Sequence, residues 1–137
     1  MIIDLKKEDS QWMYEVAEKA YGTSPWTEEQ FREDFAQKTH YQKAIIVDGK
    51  KVGFIQYHLF LGQGEVINIA IDPYYQGKGL GEKLLMALPS AKTWLLEVRE
   101  SNVKARHLYE KLKFKVIGRR RNYYRQPLED AIIMERK

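Results

Sequence analysis

The order of local signals predicts an α/β (α+β) fold with a mixed central sheet and helices on both faces. Three observations carry this expectation. Two amphipathic helical stretches precede a β-hairpin pattern, a strand–helix–strand succession in the middle reads as a parallel crossover, and two further strand patterns close the chain. The 137 residues contain no linker, repeat or low-complexity tract, so residues 1–137 are expected to form a single domain. At this length a chain buries roughly two-thirds of its unfolded surface and can hold a core without disulfides.

Met13, Val16, Ala17 and Ala20 recur at i, i+3, i+4 and i+7 between Asp9-Ser10 and Gly22, the spacing of an amphipathic helix with its stop signal. A second helix starts at Thr27, which forms a capping box with Gln30. Trp26, ahead of that cap, can staple onto Phe31, and Phe35 shares the same face. The pattern then becomes β, with Tyr41 to Val47, a turn at Asp48-Gly49, and Lys51 to Phe60. Gly62 and Gly64 mark the next turn, and Glu65 to Ile71 reads as a buried strand ended by Asp72-Pro73. A helix from about Gly79 to Leu88 stops at Pro89, and a strand follows from Thr93 to Val98. The helix from about Asn102 to Leu112 carries Ala105, Leu108, Tyr109 and Leu112 on one stripe. Strands over Phe114 to Arg121 and Asp130 to Glu135 complete the pattern.

Composition removes several classes of function. With no cysteine there is no thiolate nucleophile, disulfide framework or cysteine-ligated zinc or iron–sulfur site. The three histidines, His40, His58 and His107, are scattered and no H-E-x-x-H occurs, so no metal is expected. The start is charged from Asp4 onward, unlike a secretory signal, and no apolar run approaches the roughly 18 residues of a membrane span. A cytoplasmic protein with no membrane partner is therefore expected.

Between a strand and a helix lies Gln76-Gly77-Lys78-Gly79-Leu80-Gly81-Glu82. Backbone N–H groups of such a turn and of the helix's first turn converge on one point, and glycines leave room there for an anion. The nucleotide P-loop and the dinucleotide fingerprint G-x-G-x-x-G both fail at Glu82, although Glu97 stands about twenty positions on, where the latter would need an acid. The pattern that is met is Q-x-x-G-x-G, by Gln76, Gly79 and Gly81. Alone it serves equally as a plain strand-to-helix turn.

Downstream, Leu96-Glu97-Val98-Arg99-Glu100-Ser101-Asn102, followed by Ala105, Leu108, Tyr109 and Phe114, resembles the L-E-V-R-x-S-N-x-x-A-x-x-L-Y-x-x-x-G-F block of the GNAT acetyltransferase superfamily. It follows Q-x-x-G-x-G in the family's order. Within the superfamily, four segments resemble the bacterial ribosomal-protein-alanine N-acetyltransferases: Ser24-Pro25-Trp26-Thr27-Glu28, Asn68-Ile69-Ala70-Ile71-Asp72-Pro73, Arg121-Asn122-Tyr123-Tyr124 and Glu129 to Met134. The likeness runs from about residue 3 to residue 135. Two departures stand out. Lys113 replaces the family's glycine before Phe114, and the stretch Met86 to Thr93 is short, which implies a shortened helix after the glycine-rich turn.

The resemblance implies a GNAT fold with two splayed parallel strands and transfer of an acetyl group from acetyl-CoA to an amine. The donor's pyrophosphate would meet Gln76, Gly77, Lys78, Gly79, Leu80, Gly81 and Glu82. Its pantetheine arm would pair with the backbone of Ile69, Ala70 and Ile71, where an N–H can also steady the oxyanion. Asn102 would contact CoA near the sulfur, beside its ordinary role as a helix cap. Glu97 is the expected general base, acting through water. Tyr109 is the expected general acid toward the departing thiolate, although an aromatic on such a stripe is equally a core residue. An α-amino group titrates at about 7.7–8.0 against about 10.4 for lysine, so a modest base suffices for a protein N-terminus.

The expected acceptor is thus the N-terminal α-amine of a ribosomal protein, by resemblance the N-terminal alanine of small-subunit ribosomal protein eighteen. Two alternatives stay open: a GNAT enzyme acting on a small-molecule amine or lysine, and a ribosome- or RNA-binding module. For the latter, Arg119-Arg120-Arg121-Asn122-Tyr123-Tyr124-Arg125 mixes bases with aromatics. A solvated terminal hairpin framing the acceptor groove is the preferred reading of that stretch, so direct nucleic-acid binding is not expected. The net charge of +4 is an average. Residues 104–125 carry nine basic side chains and one acid, whereas residues 1–40 carry nine acids and five bases.

Overall fold

A computed structural model describes residues 1–137. Seven strands form one sheet: β1 (Ile2–Asp4), β2 (His40–Val47), β3 (Lys50–Phe60), β4 (Gln63–Ile71), β5 (Thr93–Arg99), β6 (Lys115–Arg125) and β7 (Leu128–Arg136). Their spatial order is β1-β2-β3-β4-β5-β7-β6, antiparallel everywhere except between β4 and β5. The helices are α1 (Ser10–Tyr21), α2 (Glu28–Asp34), α3 (Leu80–Met86) and α4 (Val103–Lys111). The predicted element order lacked β1. Three residues are too few to show a period-2 pattern, and this edge strand forms by pairing with Ile45, Ala44 and Lys43 of β2.

Helix boundaries follow local chemistry. Gly22 closes α1 at φ 83°, and its N–H donates to the Glu18 carbonyl. At α2 the Gln30 N–H donates to Thr27 Oγ1 at 3.1 Å while the Thr27 N–H donates to Gln30 Oε1 at 2.8 Å, and Trp26 packs 5.6 Å from Phe31. Helix α3 ends at Met86, before the expected Leu88, as the short connection to β5 demands. The glycine expected in the β3–β4 turn at position 64 lies inside β4 instead. A Cβ there would come within 2.5 Å of the Trp94 ring, so only glycine admits this close approach.

The alternation of strand side chains divides the core into two layers. Met13, Val16, Ala17 and Phe31 of α1 and α2 pack with Ala44, Phe54 and Ala70 on one face of the sheet. Leu80, Leu84, Leu85 and Tyr109 of α3 and α4 pack with Ile55, Val66, Leu96 and Val98 on the other.

The pair that positions the site is β4 and β5. They are in register only from Gln63–Val66 against Thr93–Leu96. Immediately beyond, β4 carries a bulge: Gln56 faces Asn68 while Tyr57 faces Val66, leaving Ile67 as the extra residue. The bulge bends β4 away from β5, and the two strands diverge. No helix is long and apolar enough to cross a membrane.

Candidate active site

A cavity of about 390 Å³ lies along β4 beyond the end of its pairing with β5, bounded by α3 and α4. It is lined by Ile69, Ala70 and Ile71 of β4, by the glycine-rich turn and start of α3, by Asn102 and Tyr109 at α4, and by Tyr21 at the end of α1. Hydrogen bonding alternates sides along an antiparallel strand, and the Asp72 N–H donates to Val52 of β3. The backbone of Ala70 therefore serves β3, whereas the N–H and C=O groups of Ile69 and Ile71 face the gap. Two contacts agree: the Tyr21 hydroxyl donates to the Ile69 carbonyl, and Gln76 Nε2 donates to the Ile71 carbonyl at 3.0 Å. With both carbonyls engaged, the N–H groups of Ile69 and Ile71 remain for a ligand.

The turn after β4 is built for close approach. Asp72 caps a short 3-10 turn by accepting the Tyr74 N–H at 3.0 Å. Gly77 and Gly79 then take φ of 80° and 76°, with open space where a Cβ would project. Gln76, Gly77, Gly79, Leu80, Gly81 and Glu82 all line the cavity. Lys78 does not: its ammonium turns outward over the rings of Tyr74 and Tyr75, at 5.9 and 5.4 Å. Asn102 caps α4, its Oδ1 accepting the Ala105 N–H at 3.2 Å, and the residue also borders the cavity.

Glu97 and Tyr109 do not share one wall. Leu96 and Val98 point into the α3–α4 core, so Glu97 between them projects from the opposite face of the sheet, and it does not line the cavity. Tyr109 lies in the α3–α4 core with 7% of its surface exposed. The two approach the gap between β4 and β5 from opposite sides. The Tyr124 hydroxyl is pushed up to about 12 by burial and then by the Glu97 charge. Burial raises the Tyr109 hydroxyl above the ordinary phenol value, with Tyr21 and Tyr124 adding to it. Arg120 Nε stands 2.8 Å from Glu97 Oε2 without the alignment of a hydrogen bond. Glu65, half-buried on β4, is raised by burial and by Glu97, and Arg120 opposes the shift.

Tyr21, Glu65, Arg120 and Tyr124 received no site role from the sequence. Signals were present: an acid inside an otherwise apolar strand at Glu65, and the Arg121-Asn122-Tyr123-Tyr124 run. In the fold that run is a bulge, with Arg121, Asn122 and Tyr123 of β6 standing opposite the single residue Asp130 of β7. Asn122 takes φ 52°, and its N–H donates to Asp130 Oδ1 at 2.8 Å. Past the bulge the Tyr124 ring lies 4.3 Å from the Arg99 guanidinium. The rest of the L-E-V-R-x-S-N block anchors this hairpin. Arg99 donates to the Pro127 carbonyl at 2.9 Å and to Glu129 Oε1 at 3.1 Å, and the Ser101 N–H donates to Glu129 Oε2 at 2.6 Å.

The histidines expected to be scattered are not. Pairing of β2 with β3 sets His40 opposite His58, their rings stacked at 3.4 Å, and the end of α2 brings Asp34 against both. Only His107 stands apart, since strand pairing is invisible to sequence distance.

A cleft beside β4 that ends on a glycine-rich helix start fits the CoA-dependent acyltransferase class that the sequence resemblance implies. Residues 7–114 match the acetyltransferase (GNAT) family. The chain is 36% identical to the [ribosomal protein bS18]-alanine N-acetyltransferase of Escherichia coli over 97% of this chain and 94% of that protein. It is 33% identical to a protein described as a putative [ribosomal protein bS18]-alanine N-acetyltransferase of Bacillus subtilis, over 96% and 91%. The crystal structure of the ribosomal-protein-S18-alanine N-acetyltransferase from Escherichia coli superimposes with a TM-score of 0.91, at 35% identity, covering 99% of this chain and 92% of that one. The chain belongs to the acetyltransferase (GNAT) family and is an N-acetyltransferase, with acetyl-CoA as the donor that family membership implies.

Proposed function

We propose that residues 1–137 act as one catalytic unit that acetylates the N-terminal α-amine of a ribosomal protein, the N-terminal alanine of bS18. The observation that carries this is the name shared by the relatives above, at 33–36% identity over nearly the whole of both chains. The divided site supports it, because donor and acceptor can enter from opposite faces and meet at the gap.

In this reading the pantetheine arm pairs with the Ile69 and Ile71 N–H groups, and the turn from Gln76 to Glu82 holds the pyrophosphate. Lys78 contributes its backbone rather than its ammonium. The amine nitrogen attacks the acetyl carbonyl, and Glu97 takes its proton through water and passes it to solvent. A β4 N–H holds the oxyanion. As the C–S bond breaks, sulfur leaves as a thiolate accepting a hydrogen bond from Tyr109. Full proton transfer from Tyr109 runs uphill, since its phenol sits above the usual value of about 10 and a thiol titrates near 8.5. Hydrogen bonding is therefore its main contribution.

Synthetic peptides read by mass spectrometry test the acceptor. A peptide with the bS18 amino terminus should be acetylated at its alanine α-amine, and the same peptide with a blocked terminus and free lysines should not. Equal turnover of the blocked peptide would favour a lysine-directed enzyme.

A further inference from the structure

Away from the cleft, one cluster of side chains has no part in acetyl transfer. Asp34 ends α2, His40 opens β2, and His58 lies opposite it on β3. One potential ligand atom from each lies within 4.8 Å of the others. The Asp34 side chain is 2% exposed, whereas those of His40 and His58 are 23% and 27% exposed. The carboxyl group is thus the floor of a small recess, and two imidazoles form its mouth.

The two oxygens of Asp34 have different surroundings. Oδ2 accepts the side-chain amides of Gln42 at 2.6 Å and Gln56 at 2.8 Å, and Gln56 Oε1 in turn accepts from Asn68 at 2.7 Å. Oδ1 faces only the imidazoles: His40 Nδ1 at 2.6 Å and His58 Nε2 at 3.5 Å. His58 Nε2 is buried and has no hydrogen-bond partner. An oriented oxygen, fixed by amides on its other side, and two imidazole nitrogens converging on it match the ligand set and outer shell of a transition-metal site.

We propose that Asp34, His40 and His58 form a binding site for one divalent transition ion of the zinc class. Metal–donor bonds of about 2.0–2.2 Å at tetrahedral angles separate donor atoms by roughly 3.3 Å. The observed separations, from 2.6 Å up to at most 4.8 Å, bracket that value. The ion replaces the His40–Asp34 hydrogen bond, and the part-exposed rings turn out of their stack to bring both lone pairs onto it. Two nitrogens and one carboxylate oxygen favour zinc, cobalt or nickel over magnesium or calcium, which take oxygen sets. Solvent supplies the remaining position. The ion would clip α2, β2 and β3 together at the far end of the Asp34–Gln56–Asn68 chain, which reaches the β4 bulge.

The test uses the whole chain without a histidine tag, stripped with chelator and titrated with Zn²⁺ against a chromophoric competitor. One ion per chain should bind at micromolar Kd or tighter, and the melting temperature should rise with it. The imidazole signals of His40 and His58 should shift in NMR spectra while that of His107 stays in place. His40→Gln and His58→Gln should each weaken binding by at least about tenfold, with circular dichroism showing that they fold. Absence of stoichiometric binding overturns the site. So does binding that moves only the His107 signal or survives both substitutions, and in that outcome the cluster holds a proton between Asp34 and His40 instead. The NMR readout needs no variant, so a misfolded mutant does not blunt the test.

Discussion

At Tyr109 and Glu97 the chemistry divides into contributions of different size. If Tyr109 acts as proposed, Tyr109→Phe removes one hydrogen bond to a developing charge, worth about 1.5–3 kcal/mol, and kcat should fall roughly ten- to hundredfold. In the proposed mechanism Glu97→Gln removes the base and should cost about 10²–10⁴ in kcat. In both variants the melting-temperature shift on adding acetyl-CoA should match the unsubstituted chain; a lost shift would mean that these residues bind the donor instead. Lys113 illustrates a different lever. It holds φ 77° just after α4, where the Phe114 N–H reaches back to the Tyr109 carbonyl at 2.9 Å. A side chain in that left-handed conformation costs about 1 kcal/mol, so Lys113→Gly should raise unfolding stability by about that amount in urea titrations. The departure from the family motif at Lys113 was visible in the sequence, and so were Glu97 and Tyr109 as motif positions. Tyr21 was not, because its role is a contact with Ile69, 48 residues away.

Among the elements, the β6–β7 hairpin depends most on partners elsewhere. Arg99 and Ser101 hold its base through Glu129, and Arg99 also stacks 4.3 Å from the Tyr124 ring. Arg99→Ala should free the hairpin, accelerating amide hydrogen exchange around Tyr124 to Leu128 and raising the KM for peptide more than that for acetyl-CoA. Hydrogen bonds from Ser101, then the Arg99 charge, hold the Glu129 carboxyl below its usual range. Its folded pKa lies below the unfolded value near 4.3, so this tie is complete above that value and is lost only as pH falls through the folded one. Exchange at the hairpin should therefore be flat from pH 5 upward, after correction for intrinsic rates, and rise only on stronger acidification. Helices and hairpins were legible because capping boxes, stop glycines and turn pairs are local. The bulges at Ile67 and Arg121–Tyr123 were not, because a bulge exists only relative to the strand it pairs with.

For the molecule as a whole, pairing neutralises part of the uneven charge seen in the sequence. Arg119 meets Glu100 and Asp130, Arg120 meets Glu97, Arg32 meets Glu28 and Glu29, and Lys51 meets Asp9. A peptide drawn in by the acidic α1–α2 face thus meets a field softened by these pairs. Its KM should rise only a fewfold between low and physiological salt, and charge reversal at Glu33 should raise it more than reversal at Glu28, which Arg32 already occupies. The narrow seam between β4 and β5 has a larger consequence. Only four residue pairs, Gln63–Val66 with Thr93–Leu96, join the two halves of the sheet by main-chain pairing. An arm that pairs with Ile69 and Ile71 continues this seam where protein pairing stops, so the donor behaves as a missing length of strand. A ligand present at a hundredfold its Kd stabilises the folded form by about 2.7 kcal/mol. In the proposed donor pose, bound acetyl-CoA braces this seam, and amide hydrogen exchange along β4 and β5 should slow when it is added.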